Sequence, residues 1–537
     1  MKIVEKKMTE KMKKYVLSKR FLYTLCFIAL FVIDWTRGSQ AGAIWAWTIN
    51  MTGVVMAVIL ISAYQPKEFL KPVYIIYSAF GILALIVAYN WWMQNQAAIF
   101  RDQLLTAILN IWLLGIFVIK LFLDTAVYKV KKLHFSKIEI LVAIMLLWML
   151  FSVNEDIWPG WYLVMFGLFY HTEYSKENME ALKQGMLDGM IVSFFLLQGA
   201  AFVFRPYDIV RYAGIYSNCN INALFYGIVW IAFLIRMFDI RKKNGKKWKE
   251  VLCFLFAGAL AAFSLMTGCR TAWLAMFVTG FIYVIFADFH SLRYKAGKMF
   301  GRLVLYAVVV CVSFPITFAA ARYIPPVFHH PIWYDWEYTV DKVHSFDPWD
   351  SEKYVSWEDL TDQISGRVKP LISKFFGSEH AGIAAVQASY FTIGDKTYDT
   401  SSQEYQDYGS LLIRAAFWDY YLRNGNMEGH LTAEGHEVPG QGYVWHTQNT
   451  FIQFWYYYGI PSAVLFLVVM ISLVFMGMKR VVKGQDDALI CLLYLVFWGM
   501  YGLAEAVWYP GEMILFLAFF TPKFLWHKEN ETLKQSA

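Results

Sequence analysis

Three short clusters in this sequence hold the residue types that bind anions or move protons. The first, Arg211-Tyr212-Ala213-Gly214-Ile215-Tyr216-Ser217-Asn218-Cys219-Asn220, stands just before an apolar segment. Gly214 permits a turn, Asn220 is suited to cap the helix that follows, and an arginine aimed at helix-start amides makes an anion site. The second, Thr267-Gly268-Cys269-Arg270-Thr271-Ala272-Trp273, separates two apolar segments by too few residues for a true loop. A guanidinium there is costly unless paired or interfacial, and its fork matches diphosphate. The third runs from Gly440 through His446, Gln448 and Asn449 to Gln453. A histidine beside flexible glycines titrates near neutral pH and can take a proton from a hydroxyl. Each cluster also has a plainer use, because arginines anchor helices at lipid interfaces and loop histidines are ordinary surface groups.

Long apolar elements must hold these clusters. The 537 residues are 58% hydrophobic, 19% aromatic and only 17% charged, with a mean hydropathy of +0.41. A soluble protein carries about 25% charged residues, so this much apolar surface requires lipid. A compact cytosolic enzyme, a disordered chain and a collagen-like chain are excluded. A membrane span takes about 20 mostly apolar residues. Fourteen segments meet or approach that length, near 21–36, 42–64, 72–92, 103–123, 138–153, 158–172, 187–204, 219–238, 250–267, 271–288, 303–323, 460–478, 488–508 and 511–526. Since 158–172 is short enough to be re-entrant, the expectation is an all-α polytopic membrane protein of twelve to fourteen spans. The lysine-rich start and Ala41-Gly42-Ala43 resemble a signal peptide, but the first segment is read as a retained helix.

Charge sets the expected orientation, because Lys and Arg accumulate on the cytoplasmic side. Alternating from an inside start puts 34 of the 48 basic residues inside. The short outer loops keep Arg37, Arg101, Arg205, Arg211 and Arg270. The organisation expected is a cytoplasmic basic N-terminus at 1–20, eleven helices over 21–323, a large extracytoplasmic α-rich loop at 324–447, three last helices over 448–526, and a cytoplasmic tail at 527–537. From 322 to 445 there are 18 acidic residues against 9 basic ones, so the net +7 is a topology signal and calls for no nucleic acid. That loop carries Trp333, Trp336, Trp349, Trp357, Trp418 and Trp445, able to stack on sugar rings or build the loop's own core. Residues 357–376 and 402–423 have helix-like spacing, with no strong strand pattern. The six cysteines lie in or beside apolar segments without metal-ligand spacing, and neither metal nor cofactor is expected.

Together the clusters resemble the O-antigen ligase and O-antigen polymerase superfamily. The resemblance rests on Arg-x-x-Gly-x-x-x-Asn-x-Asn at 211–220, the Arg270 hairpin, and a His/Asn pair ending one long loop ahead of Gly459. It covers about 205–290 and 410–480; earlier residues match in hydropathy only. It implies a polytopic, metal-independent glycosyltransferase of the GT-C type, acting on a glycan carried by polyprenyl diphosphate. By that resemblance Arg211 and Arg270 hold the diphosphate, and a loop histidine activates the acceptor hydroxyl. Asn220, Gln448 and Asn449 fall in the matching motifs, and Arg414 with Trp418 resembles an Arg-x-x-x-Trp stretch of many relatives. Two departures stand out. Cys219 replaces the proline of the usual Asn-Pro-Asn, and Gln448 occupies the usual histidine position. Glutamine is no base at neutral pH, which leaves His446, two residues earlier, as the expected one.

The chemistry so implied displaces a diphosphate from an anomeric carbon, with inversion, at the outer face of the cytoplasmic membrane. The donor is a polyprenyl-diphosphate-linked glycan and the acceptor a glycan or lipid, so polymerase and ligase stay open, with a polymerase of surface or exported polysaccharide preferred. A transporter or flippase of lipid-linked glycan is the rival from another class. It would place ionisable residues near the midplane rather than at helix ends.

Overall fold

A computed structural model describes residues 18–35, 52–95, 98–216, 218–328, 347, 349–350, 353–376, 390–393, 396–399, 414–415, 417–431, 436–438, 442–444, 447–507 and 513–525. They form α1 (Lys19–Ile28), α2 (Thr52–Ile61), α3 (Pro72–Asn95), α4 (Ala98–Phe122), α5 (Lys137–Leu150), α6 (Trp158–His171), α7 (Lys176–Phe204), α8 (Cys219–Lys242), α9 (Lys247–Met266), α10 (Arg270–Tyr283) and α11 (Ala296–Phe328). Further along come α12 (Trp357–Phe376), α13 (Thr450–Tyr457), α14 (Ile460–Val482), α15 (Ala488–Gly502) and α16 (Met513–Phe520). Each of the fourteen apolar segments contains one of these helices. Among the described residues, eight helices are long and apolar enough to cross a membrane, and three shorter ones are also apolar. By length and composition these are the helices of a multi-pass membrane protein.

The chain divides into two compact units. The first comprises Met1–Ile140, Asp156–Leu197 and Tyr509–Ala537. Its interior is aromatic: Phe169 stacks on Phe520 with centroids 4.7 Å apart, and Phe27 meets the same ring edge-on at 5.4 Å. Lys120 is buried there and reaches Asp124 at 2.6 Å and Glu68 at 3.1 Å, since a buried ammonium needs such partners.

The second unit comprises Leu141–Glu155 and Gln198–Trp508 and holds all three clusters. Its central helix is α8, buried along nearly its whole length, as an element apolar on every face must be. The segment between α11 and α13 is the one expected to be a helical cap. Its α12 spans the predicted 357–376 and opens on a reciprocal cap: Ser356 N donates to Asp359 Oδ2 at 2.9 Å, and Asp359 N to Ser356 Oγ at 3.0 Å. Trp357 packs edge-on against Phe314 and Phe318 of α11. Arg322 donates to the carbonyls of Val355 and Asp350, tying the same helix end down.

The segment also contains two short antiparallel hairpins that the periodicity did not announce. They pair β1 (Tyr390–Ile393) with β2 (Lys396–Asp399), and β3 (His436–Val438) with β4 (Gly442–Val444). Aromatic and β-branched residues flank Gly394-Asp395 in the first, a composition that suits a two-residue hairpin.

Candidate functional site

The site starts from the way α9 stops. Gly268, at φ +63°, takes the left-handed conformation that closes a helix, and Cys269 is extended before α10 begins at Arg270. A β-carbon at Gly268 would lie 2.4 Å from Gln363 Nε2 and would push that side chain aside, so the positive φ is what calls for glycine here. The Arg211 segment is laid across this break. Tyr212 N donates to Met266 O at 3.0 Å, and Arg211 Nε to Thr267 O at 3.0 Å. Behind it the buried phenol of Tyr212 accepts from Gln198 Nε2 at 2.9 Å, while Tyr226 donates to Gln198 Oε1 at 2.6 Å. This satisfied polar chain fixes the backbone that presents Arg211.

The cap of α8 is Asn218, not Asn220. Asn218 is extended and its Oδ1 accepts from Asn220 N at 2.7 Å, which puts Asn220 inside the first turn. With Asn218 as the cap, the Asn220 side chain is left for other partners. Its Oδ1 accepts from Arg211 Nη2 at 2.6 Å and its Nδ2 donates to Glu505 Oε1 at 3.1 Å. Tyr501 of α15 donates to the Asn220 carbonyl at 2.8 Å, locking α8 to the helix whose following turn carries Glu505.

Arg414 approaches from the cap. Its Nη2 donates to Glu505 Oε1 at 3.1 Å, and its Nε to Gln448 Oε1 at 2.7 Å. Gln448 has φ +51°, a strained left-handed backbone for a side chain with a β-carbon. Its neighbours enforce it. Asn449 caps α13 by accepting from Ile452 N at 3.0 Å and donates from Nδ2 to Leu503 O at 2.8 Å. Thr450 Oγ1 donates to Glu505 O at 3.0 Å and accepts from Val507 N at 3.0 Å, clamping the turn after α15 against α13.

A fourth arginine joins them. Arg367 of α12 donates through Nη1 to Gly268 O at 2.8 Å. Arg270 stands in the field of Arg211 and Arg414, and Arg367 in that of Arg211 and Arg270. Burial, and then those two like charges, hold the Arg367 guanidinium below the usual arginine range. Glu505 lies among them, its Oε1 shared between Asn220 and Arg414. Four guanidinium groups so gathered make a place for a polyanion with several oxygens, and a carboxylate beside them can accept a proton.

Of the expected site residues, the structure brings together Arg211, Arg270, Arg414, Asn220, Gln448 and Asn449. Asn449 acts as a helix cap and brace. His446 lies outside the described residues, as do Trp333, Trp336 and Trp445. Arg367 was not foreseen. The helix carrying it was legible, but its reach to a carbonyl 99 residues away was not. Glu505 is, in the sequence, a lone carboxylate close after an apolar segment's helix, and its place between Asn220 and Arg414 comes from the fold.

The chain matches no family model, no curated protein and no solved structure.

Proposed function

We propose that this protein is a membrane glycosyltransferase that polymerises a polyprenyl-diphosphate-linked oligosaccharide at the outer face of the cytoplasmic membrane, with the large loop extracytoplasmic and both termini cytoplasmic. The observation that carries the reading is the convergence of Arg211, Arg270, Arg367 and Arg414 on one place beside the helix breaks. A diphosphate leaving group develops charge as its bond to the anomeric carbon breaks, and preorganised guanidinium groups stabilise that charge most strongly where water is scarce. The acceptor hydroxyl attacks the opposite face of the sugar, so the product is inverted.

The resemblance of 205–290 and 410–480 to the O-antigen ligase and polymerase superfamily supports the same reading, as does the basic bias of the loops assigned to the cytoplasm. The decisive experiment reconstitutes the pure protein in liposomes with a polyprenyl-diphosphate oligosaccharide and resolves the products on a gel. A ladder of inverted linkages is the expected result. A single shift that needs an added lipid or protein acceptor makes the protein a ligase instead. No product with any donor, together with donor moved across the bilayer, replaces the transferase with a transporter.

A further inference from the structure

We propose that Glu505 is the proton acceptor for the attacking hydroxyl. This rests on the transferase reading above and deepens it. Gln448, at the motif position where a base is expected, carries an amide that cannot take a proton at neutral pH, and it is engaged by Arg414 Nε at 2.7 Å. The same guanidinium turns its Nη2 to Glu505 at 3.1 Å. A carboxylate therefore stands one arginine away from the vacant base position, contributed by the turn after α15 rather than by the loop.

The geometry leaves half of that carboxylate available. Oε1 accepts both Asn220 Nδ2 and Arg414 Nη2, whereas Oε2 accepts no hydrogen bond among the described residues. The side chain is 16% exposed, enough for a hydroxyl to approach and little enough to keep bulk water sparse. Among the described residues, the charged and titratable groups facing it are Arg414 from the cap, Arg211 from the segment before α8, Cys219 at the start of α8 and Cys269 at the hairpin.

In the free enzyme Arg414 and Arg211 balance the Glu505 charge, and Asn220 donates a hydrogen bond to it. A diphosphate seated against Arg211, Arg270 and Arg367 brings negative charge beside Glu505 and competes for Arg414. Both effects raise the affinity of Oε2 for a proton, so donor binding switches the base on. The acceptor O–H then gives its proton to Oε2, and the oxygen lone pair forms the new bond to the anomeric carbon. The C–O bond to diphosphate breaks with its electron pair passing to the diphosphate oxygen. The proton leaves Glu505 to water when the product departs, which restores the carboxylate.

The test uses the full-length protein in liposomes with polyprenyl-diphosphate oligosaccharide as donor. Wild type must first form product; if it does not, the transferase reading itself fails, and with it this assignment. Given wild-type product, Glu505→Gln should lower kcat by ~100-fold or more, the usual worth of a general base. The donor KM should stay within about threefold, because an amide still accepts from Arg414 and Asn220. The acid limb of the kcat/KM pH profile should disappear in that variant. Should Glu505→Gln fail to fold, Glu505→Asp decides: a displaced acid limb supports the assignment and an unmoved one overturns it. Retained kcat with a raised donor KM makes Glu505 a positioning residue only. A His446→Ala variant that loses both kcat and the acid limb, while Glu505→Gln keeps them, moves the role to His446.

Discussion

Arg211 and Glu505 meet through the side-chain amide of Asn220, which accepts from the guanidinium at 2.6 Å and donates to the carboxylate at 3.1 Å. One neutral group thus holds a cation and an anion in register without letting them collapse into a direct pair. Hydrogen bonds to charged groups contribute about 1.5–3 kcal/mol each. Asn220→Ala should accordingly lower kcat/KM for the donor by roughly 10- to 100-fold. Asn220→Asp should do no better, because it loses the donor to Glu505 and sets a like charge against it. Steady-state kinetics of both variants checks this, and a loss under threefold would remove Asn220 from the machinery.

Arg367 ties α12 to the hairpin through Gly268 O and adds charge to the cluster. Arg367→Ala should raise the donor KM by about tenfold, while Arg367→Lys should recover only part of it, since an ammonium lacks the planar fork. Comparing donor titrations at low and high salt separates the two roles. A purely bracing arginine would leave the salt dependence of KM unchanged.

Gly268→Ala is expected to destabilise the second unit. The left-handed conformation costs a residue with a β-carbon about 1–2 kcal/mol, before the 2.4 Å approach to Gln363 Nε2 is relieved. Thermal unfolding in detergent should show a lower Tm than wild type. An unchanged Tm would mean that the α9–α10 break relaxes freely.

Gln448→Gly should separate stability from activity. It relieves the left-handed strain at φ +51°, worth about 1–2 kcal/mol, and so should hold or raise Tm. It also removes the acceptor of Arg414 Nε and should lower turnover. A variant that is both less stable and fully active would contradict the strain argument.

Sidedness can be read with cysteines placed at exposed positions. Asp362→Cys on α12 should react with a membrane-impermeant maleimide in intact cells, while Lys246→Cys before α9 should react only after permeabilisation. The opposite pattern would invert the orientation taken from the basic residues.

Much of this protein is legible in its residue order because the signals are local. Twenty apolar residues in a row demand lipid and a satisfied helical backbone whatever the rest of the chain does, and every apolar segment contains a helix. The glycine at 268 marks its helix break, and the spacing of 357–376 marks α12, for the same reason. Caps were less secure, because Asn218 and Asn220 are chemically identical and only the register of the first turn of α8 chooses between them. The β1–β2 hairpin was hidden in a segment read for helical periodicity, although Gly394-Asp395 between aromatic and β-branched residues was its signal. The site itself was beyond local reading. Arg414 reaches Glu505 across 91 residues, Arg367 reaches Gly268 across 99, and Asn220 reaches Glu505 across 285. No propensity or periodicity encodes such pairings. They arise when helix ends from distant parts of the chain pack at one place, and only there do four arginines and one carboxylate acquire the neighbours that define their chemistry.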